Sequence, residues 1–243
     1  MEKIMEIEGW VLYFDDSLKD KYVCLSDNKG KTIILSNPYR QIDYIQINHY
    51  EINFIFRMGD GVDSQKQLGF LSMDRLSLKN NPSKIKIELS DVYDYIDKEP
   101  LPIYIASKDM KKTILNKNTN ILATGFDFVS GMLFLSKGGK EVRAYLTVKD
   151  YNIGAIIFQD LDNLNNTIIV DCKYCQLRQI SQSYFLVGEY NTENYHYRMR
   201  YGLLNTYGKV VVPCMYDDIR NVRDGYYDAL KDEKWHRNLI LPE

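Results

Sequence analysis

The chain has 243 residues, is 45% hydrophobic and 26% charged, and carries a formal net charge of −2. That apolar content can fill a sizeable core, and an all-β unit of this length can fold as one domain. A charge so near zero supplies no long-range field to gather nucleic acid or an anionic membrane. Twenty Tyr and nine Phe beside only six Pro favour pleated surfaces over helices.

The opening MEKIMEIEGWVLYF has Glu6 and Glu8 ahead of a short apolar run. It has neither the basic start nor the continuous apolar stretch of a secretion signal. Apolar runs elsewhere are only a few residues long, far short of the ~20 that a membrane helix needs. We therefore expect a cytoplasmic chain with no membrane partner, its four cysteines reduced. A first strand pair is expected from Gly9 to Cys24. "TIIL" before Ser36-Asn37-Pro38, "INFIF" before Arg57, "LPIYIAS" and "GMLFLSKGG" follow as short strands. "SDNKGK", "NKNTN" and "SKGGK" are tight turns in which Gly or Asn takes positive φ. No segment has a convincing amphipathic helical period.

The chain repeats a grammar. From Tyr201 to Trp235, a Gly-led strand (Gly202 to Leu204) meets a polar turn ending in Gly208-Lys209. A second strand (Val210 to Val212) and an aromatic anchor, Tyr216, come next. Ile219 and Val222, a turn at Asp224-Gly225 and an alternating strand, Tyr226 to Leu230, complete the unit. The same order recurs around Tyr174, where Cys172 falls on Cys214, Leu177 on Ile219, Arg178 on Arg220 and Ile180 on Val222. Looser copies lie around Phe126, Tyr93 and Tyr39. One such unit cannot bury its apolar face alone, so neighbours must stack on it.

These residues carry a family resemblance. Gly202, Gly208-Lys209, Pro213, Tyr216-Asp217-Asp218-Ile219, Gly225 and Lys234-Trp235 resemble the WG-repeat pattern, with His236 in place of its closing Gly. The resemblance is good over 201 to 235, fair over 154 to 187 and weak before 125. It implies an array of β-hairpin units and no catalytic residues. We expect an all-β single repeat domain over 1–243, with about five hairpin or meander units centred near Tyr39, Tyr93, Phe126, Tyr174 and Tyr216. The array is either a curved stack or propeller-like, and uneven spacing favours the curved stack.

Each chemical motif has a structural counterpart. "DCKYCQL" offers Cys172 and Cys175 at a zinc or redox spacing, with Cys24, Cys214 and His196 as the remaining ligands. The repeat explains Cys172 as a small buried residue, so we expect no metal and no cofactor. "DLDNLNN" sets Asp160, Asp162 and Asp171 at spacings faintly like a calcium loop, but Asn165 stands where Gly is needed. Asp15-Asp16 and Asp217-Asp218 are carboxylate pairs available for acid–base work; the second belongs to the repeat, as a turn cap. With His49, His196 and His236 alone, and no Ser/His/Asp ordering, P-loop or dinucleotide fingerprint, catalysis has little to draw on.

"YHYRMRYG" alternates Tyr195, Tyr197, Met199 and Tyr201 on one face with His196, Arg198 and Arg200 on the other. Stacking plus phosphate contacts suit single-stranded nucleic acid, but the chain around them is not basic. A protein partner with an acidic surface fits equally. The expected site is therefore Tyr195, His196, Tyr197, Arg198 and Arg200. Tyr44, Tyr50, Tyr95, Tyr104, Tyr226 and Tyr227 are further contact candidates. The expectation is a non-enzymatic intracellular protein-binding module, in its sharper form an immunity or antitoxin-type inhibitor. The alternatives are a carbohydrate-binding β-repeat protein, suggested by aromatic platforms beside Asn and Asp, and an enzyme of unidentified type.

Overall fold

The computed structural model describes residues 1–17, 20–36, 38–48, 51–73, 75–80, 87–160, 164–191, 198–223 and 225–242. Among these the strands form six antiparallel sheets, each a meander of successive strands like a propeller blade. Sheet 1 comprises β1 (Glu2–Ile7), β2 (Trp10–Asp15), β3 (Tyr22–Asp27) and β4 (Thr32–Ile34). Sheet 2 comprises β5 (Gln41–Ile47), β6 (Glu51–Arg57), β7 (Lys66–Ser72) and β8 (Ile87–Leu89), and sheet 3 comprises β9 (Tyr95–Lys98), β10 (Ile103–Lys108), β11 (Lys111–Asn116) and β12 (Ile121–Phe126). Sheet 4 comprises β13 (Phe128–Lys137), β14 (Lys140–Lys149), β15 (Asn152–Phe158) and β16 (Thr167–Tyr174). Sheet 5 comprises β17 (Gln176–Gln179), β18 (Tyr184–Asn191), β19 (Arg198–Asn205) and β20 (Val210–Tyr216), and sheet 6 comprises β21 (Asp218–Arg223), β22 (Tyr226–Lys231) and β23 (Lys234–Ile240). One α-helix, α1 (Arg75–Asn80), is described, and it puts Leu78 into the core. No helical period announces it in the sequence. The chain divides into two compact units, Met1–Leu122 and Ala123–Glu243, and the boundary falls inside β12.

Turn chemistry sets the strand lengths. Two-residue turns with both central φ positive join β1 to β2 at Glu8-Gly9, β10 to β11 at Asp109-Met110 and β14 to β15 at Asp150-Tyr151. Gly138-Gly139 and Asp232-Glu233 do the same for β13–β14 and β22–β23. This left-handed geometry matches the twist of antiparallel strands. The third-to-fourth turns use a different device. Asp27 Oδ1 accepts the N–H groups of Lys29 and Lys31, Asn116 Oδ1 those of Asn118 and Asn120, and Asn205 Oδ1 those of Tyr207 and Lys209. One Asp or Asn thus satisfies two turn donors, which is why that residue type opens each of these turns.

The five anchors are the junctions between the six sheets. Tyr39, Tyr93, Phe126 and Tyr174 are buried there, and Tyr216 packs against Tyr227 with ring centroids 6.1 Å apart. The residue after each anchor donates its N–H to the second strand of the next sheet. Arg40 reaches Arg57 O, Asp94 Ser107 O, Asp127 Val148 O, Cys175 Gly188 O and Asp217 Leu230 O, at 2.7–2.9 Å. The sequence repeat therefore comprises the third and fourth strands of one sheet and the first and second of the next. It is offset by half a sheet, so five repeats connect six sheets. The Gly9-to-Cys24 strands belong to sheet 1.

The second strands of sheets 2 and 5 pack both ways. Ile52, Phe54 and Phe56 of β6 join Leu12, Val23 and Leu25 from sheet 1, while Ile55 joins Tyr93, Ile96 and Tyr104 on the side of sheet 3. In the second unit, Val142 and Ala144 of β14 pack with Phe185 and Val187 of β18. Leu186 meets Ile219, Tyr227 and Ala229 of sheet 6. Burying each large side chain of this kind contributes roughly 1.5–3 kcal/mol.

Candidate functional site

The sequence-predicted site lies on the β18–β19 hairpin. Tyr195, His196 and Tyr197 fall outside the described residues, within the connection 192–197. Arg198 opens β19 and is exposed opposite Asn191; Arg200 lies opposite Glu189, and Tyr190 opposite Met199. Arg200 does not project freely. Its guanidinium bonds Asp217 Oδ1, and the two side chains are 17% and 20% exposed. Arg198 lies 4.0 Å from the same carboxylate oxygen. The other oxygen of Asp217 accepts the N–H of Asp232, in the β22–β23 turn, at 3.1 Å.

That last contact recurs. Asp94 Oδ2 accepts the N–H of Asp109 at 3.0 Å, and Asp127 Oδ2 that of Asp150 at 2.8 Å. The carboxylate after the anchor thus caps the two-residue turn of the next sheet, not a turn of its own backbone. Asp218 Oδ1 accepts the N–H of its neighbour Ile219 at 2.8 Å. Both carboxylates of the Asp217-Asp218 pair are held in structural hydrogen bonds. Of the calcium-like trio, Asp162 lies outside the described residues.

Cys172 and Cys214 occupy equivalent bulges. Gly154 and Gly202 lie directly under the fourth-strand backbone. A Cβ on Gly202 would fall inside contact distance of Val212 O and 2.8 Å from the Pro213 carbonyl carbon. Each cysteine then reaches the strand residue that pairs with that glycine. The Cys172 thiol is 3.5 Å from Thr147 O, and the Cys214 thiol 3.7 Å from Val187 O. Burial pushes the Cys214 thiol up to about 12, so it stays protonated at neutral pH. Among the described residues no three His, Cys, Asp or Glu side chains gather as a metal set.

The tyrosine candidates divide by strand face. Tyr95 and Tyr226 are exposed, whereas Tyr104 and Tyr227 are buried at 3% and 6% and present no ring to a protein partner's surface. Alternation along β10 and β22 turns both toward the neighbouring sheet. Tyr50 lies outside the described residues. Tyr44 is engaged by Lys98, whose Nζ bonds its hydroxyl at 2.7 Å and lies 5.1 Å from its ring centroid.

Sequence reasoning missed a cleft of about 320 Å³ in the first unit, at the edge of the β6–β10 packing. Gln46, Glu51, Asn53, Lys98, Tyr104 and Lys117 line it beside a wall of Pro100, Leu101 and Pro102. Asn53 sits in mid-strand, between Ile52 and Phe54, and that polar interruption of "INFIF" was the available signal.

Comparison with known proteins places a family on one segment. Residues 201–235 match the model of the WG containing repeat. No curated protein matches the chain. Among solved structures, the chain is similar to the β-propeller domain of the Trilobed protease from Pyrococcus furiosus, described as having an open velcro topology. The identity is 9% and the TM-score 0.26, over 96% of this chain and 82% of that one.

Proposed function

We propose that this all-β repeat protein is a non-enzymatic binding module whose partner is another protein, met on the β18–β19 side of sheet 5. The observation that carries the reading is a departure from the repeat. Sheets 3, 4 and 6 close their second and third strands with two-residue turns, whereas residues 192–197 join those strands in sheet 5, as the longer connections 16–21 and 58–65 do in sheets 1 and 2. Insertions into repeat arrays fall on one face, which is often the binding face. Tyr190, 55% exposed, and the exposed Arg198 flank the insertion. Tyr and Arg, here one on each face of the hairpin, are residue types enriched at interface hot spots. The engagement of Asp217 and Asp218 in backbone hydrogen bonds supports a non-enzymatic role, and the mixed charge of the surface supports a protein rather than a nucleic-acid partner.

The test is to replace 192–197 by Asn-Gly and, separately, Tyr195, Tyr197 and Arg198 by Ala. Tagged protein is then used to capture partners from the native lysate. A stoichiometric protein lost with both variants, while thermal unfolding is unchanged, supports the reading. Equal capture by all three proteins removes it. The finer form is an immunity-type inhibitor working inside the cell. If the captured partner is an enzyme, its activity should fall as this chain saturates it, and undiminished activity rules that form out.

A further inference from the structure

We propose that the cleft in the first unit is a binding site for an acidic sugar, a hydroxylated carboxylate of monosaccharide size, separate from the β18–β19 face. The argument comes from comparing equivalent positions. The carbonyls that accept the junction N–H groups, Arg57, Ser107, Val148 and Gly188, fix the register between sheets. By the same offsets, Glu51 and Asn53 in sheet 2 correspond to Val142 and Ala144 in sheet 4. Tyr104 in sheet 3 corresponds to Phe185 in sheet 5. Gln46, paired with Asn53, corresponds to Leu133, paired with Ala144. In the second unit these positions pack into one apolar cluster. In the first unit each carries a polar group, and a cleft opens among them.

A polar group taken from a core position costs stability unless it is hydrogen-bonded. Asn53 is 5% exposed, and its Oδ1 has no hydrogen-bond partner. A rotation of the carboxamide presents either a donor or an acceptor end, so hydroxyl groups satisfy it. Burial pushes the Tyr104 hydroxyl up to about 12, which keeps it a neutral donor. Glu51 is matched by Lys117 at 3.5 Å and by the amide of Asn48. Lys98 is different. Its Nζ is held at 2.7 Å by the neutral Tyr44 hydroxyl and by Gln46 Oε1, and among the described residues no carboxylate lies within 4 Å of it. The cleft therefore presents one cation in excess, fixed by two neutral acceptors, at one side of an amide and phenol floor. Its volume is at the small end of ligand pockets, the size of one sugar ring. A carboxylate on Lys98, with ring hydroxyls on Asn53 and Tyr104, uses every one of these groups.

The test is a ¹⁵N-resolved NMR titration with D-glucuronate and, in parallel, D-glucose. Glucuronate should shift backbone amides around Asn53, Lys98 and Tyr104, with Kd of the order of 1 mM. Asn53→Ala, which installs the residue found in sheet 4, should weaken glucuronate about tenfold or more. Lys98→Gln, which installs the Gln179 of the equivalent strand, should remove the preference for glucuronate over glucose and leave glucose binding unchanged. The spectra themselves report whether each variant is folded. No cleft shifts with either sugar overturn the site, as do shifts that both variants leave unaltered. Equal binding of glucose and glucuronate by the wild type overturns the acidic class.

Discussion

The two units build the same junction from different chemistry. In sheets 1 and 2 the fourth strand is three residues long, and a serine completes it: Ser36 Oγ accepts the N–H of Val23 at 2.8 Å and Ser90 Oγ that of Leu68 at 2.9 Å. In sheets 4 and 5 the fourth strand runs through to its anchor, bulges over Gly154 or Gly202, and is locked by Cys172 or Cys214. Both routes bring an aromatic anchor to the same place, three residues beyond Ser36, Ser90, Asp171 or Pro213. The junction is therefore specified by where the anchor lands and by the hydrogen bond that follows it. The path by which the strand arrives is free to differ.

That comparison breaks first at the glycines. Gly202→Ala and Gly154→Ala push a methyl group into backbone atoms that cannot yield like a flexible side chain, so each should cost about 2–4 kcal/mol in chemical denaturation. A cost below about 1 kcal/mol in both would mean that the bulge is not tight. The contrast between the cleft and the closed interface comes next. Ala144→Asn buries an unpartnered amide among apolar neighbours and should cost about 3 kcal/mol. Asn53→Ala removes one and should cost less than about 1 kcal/mol or stabilise. Equal costs would remove the distinction.

Ser90→Ala strands the buried N–H of Leu68 and should cost about 1–3 kcal/mol; an unchanged midpoint would show that the serine route is dispensable. Acid tests sheet 6. The Asp228 carboxyl is held below the ordinary carboxylate value, first by the amide of Asn221 and then by the N–H of Asn238. Its contribution is present in full above the unfolded value and is lost as pH falls through the folded one. Asp228→Asn should flatten that part of the acid unfolding profile, and an identical profile would exclude the group. The smallest expected effect is a gain. Thr119 is β-branched with φ +64° where sheets 1 and 5 place Gly30 and Gly208. Thr119→Gly should therefore raise stability by up to about 1 kcal/mol, and a loss would contradict the strain argument.

The second unit was legible because its junction route leaves marks in the sequence. A glycine, a cysteine and a Tyr at fixed offsets exist only because a strand crosses a strand at contact distance. The serine route leaves one small polar residue that any turn also uses, so the first two junctions read as loose copies. Asp217 was legible as a cap but not as a cap of the following hairpin, since its partner Asp232 is set by pairing across sheets. Of the predicted site, the register of Arg198 and Arg200 on β19 followed from alternation. The Arg200–Asp217 pair did not, because it joins β19 to the junction between β20 and β21, which only the fold brings together. The cleft was hidden for a related reason. A single Asn in "INFIF" becomes informative only when its counterparts, Ala144 in particular, are known from the register.

The junction hydrogen bonds also order events during synthesis. Each junction N–H is claimed by a carbonyl that lies later in the chain. Asp94 waits for Ser107, Asp127 for Val148, Asp217 for Leu230. A nascent chain halted just after an anchor exposes an aromatic ring and an unclaimed N–H at its growing end, and the next two strands cover both. A chain cut just after an anchor therefore leaves that N–H without its carbonyl, whereas one cut after the next second strand contains both groups.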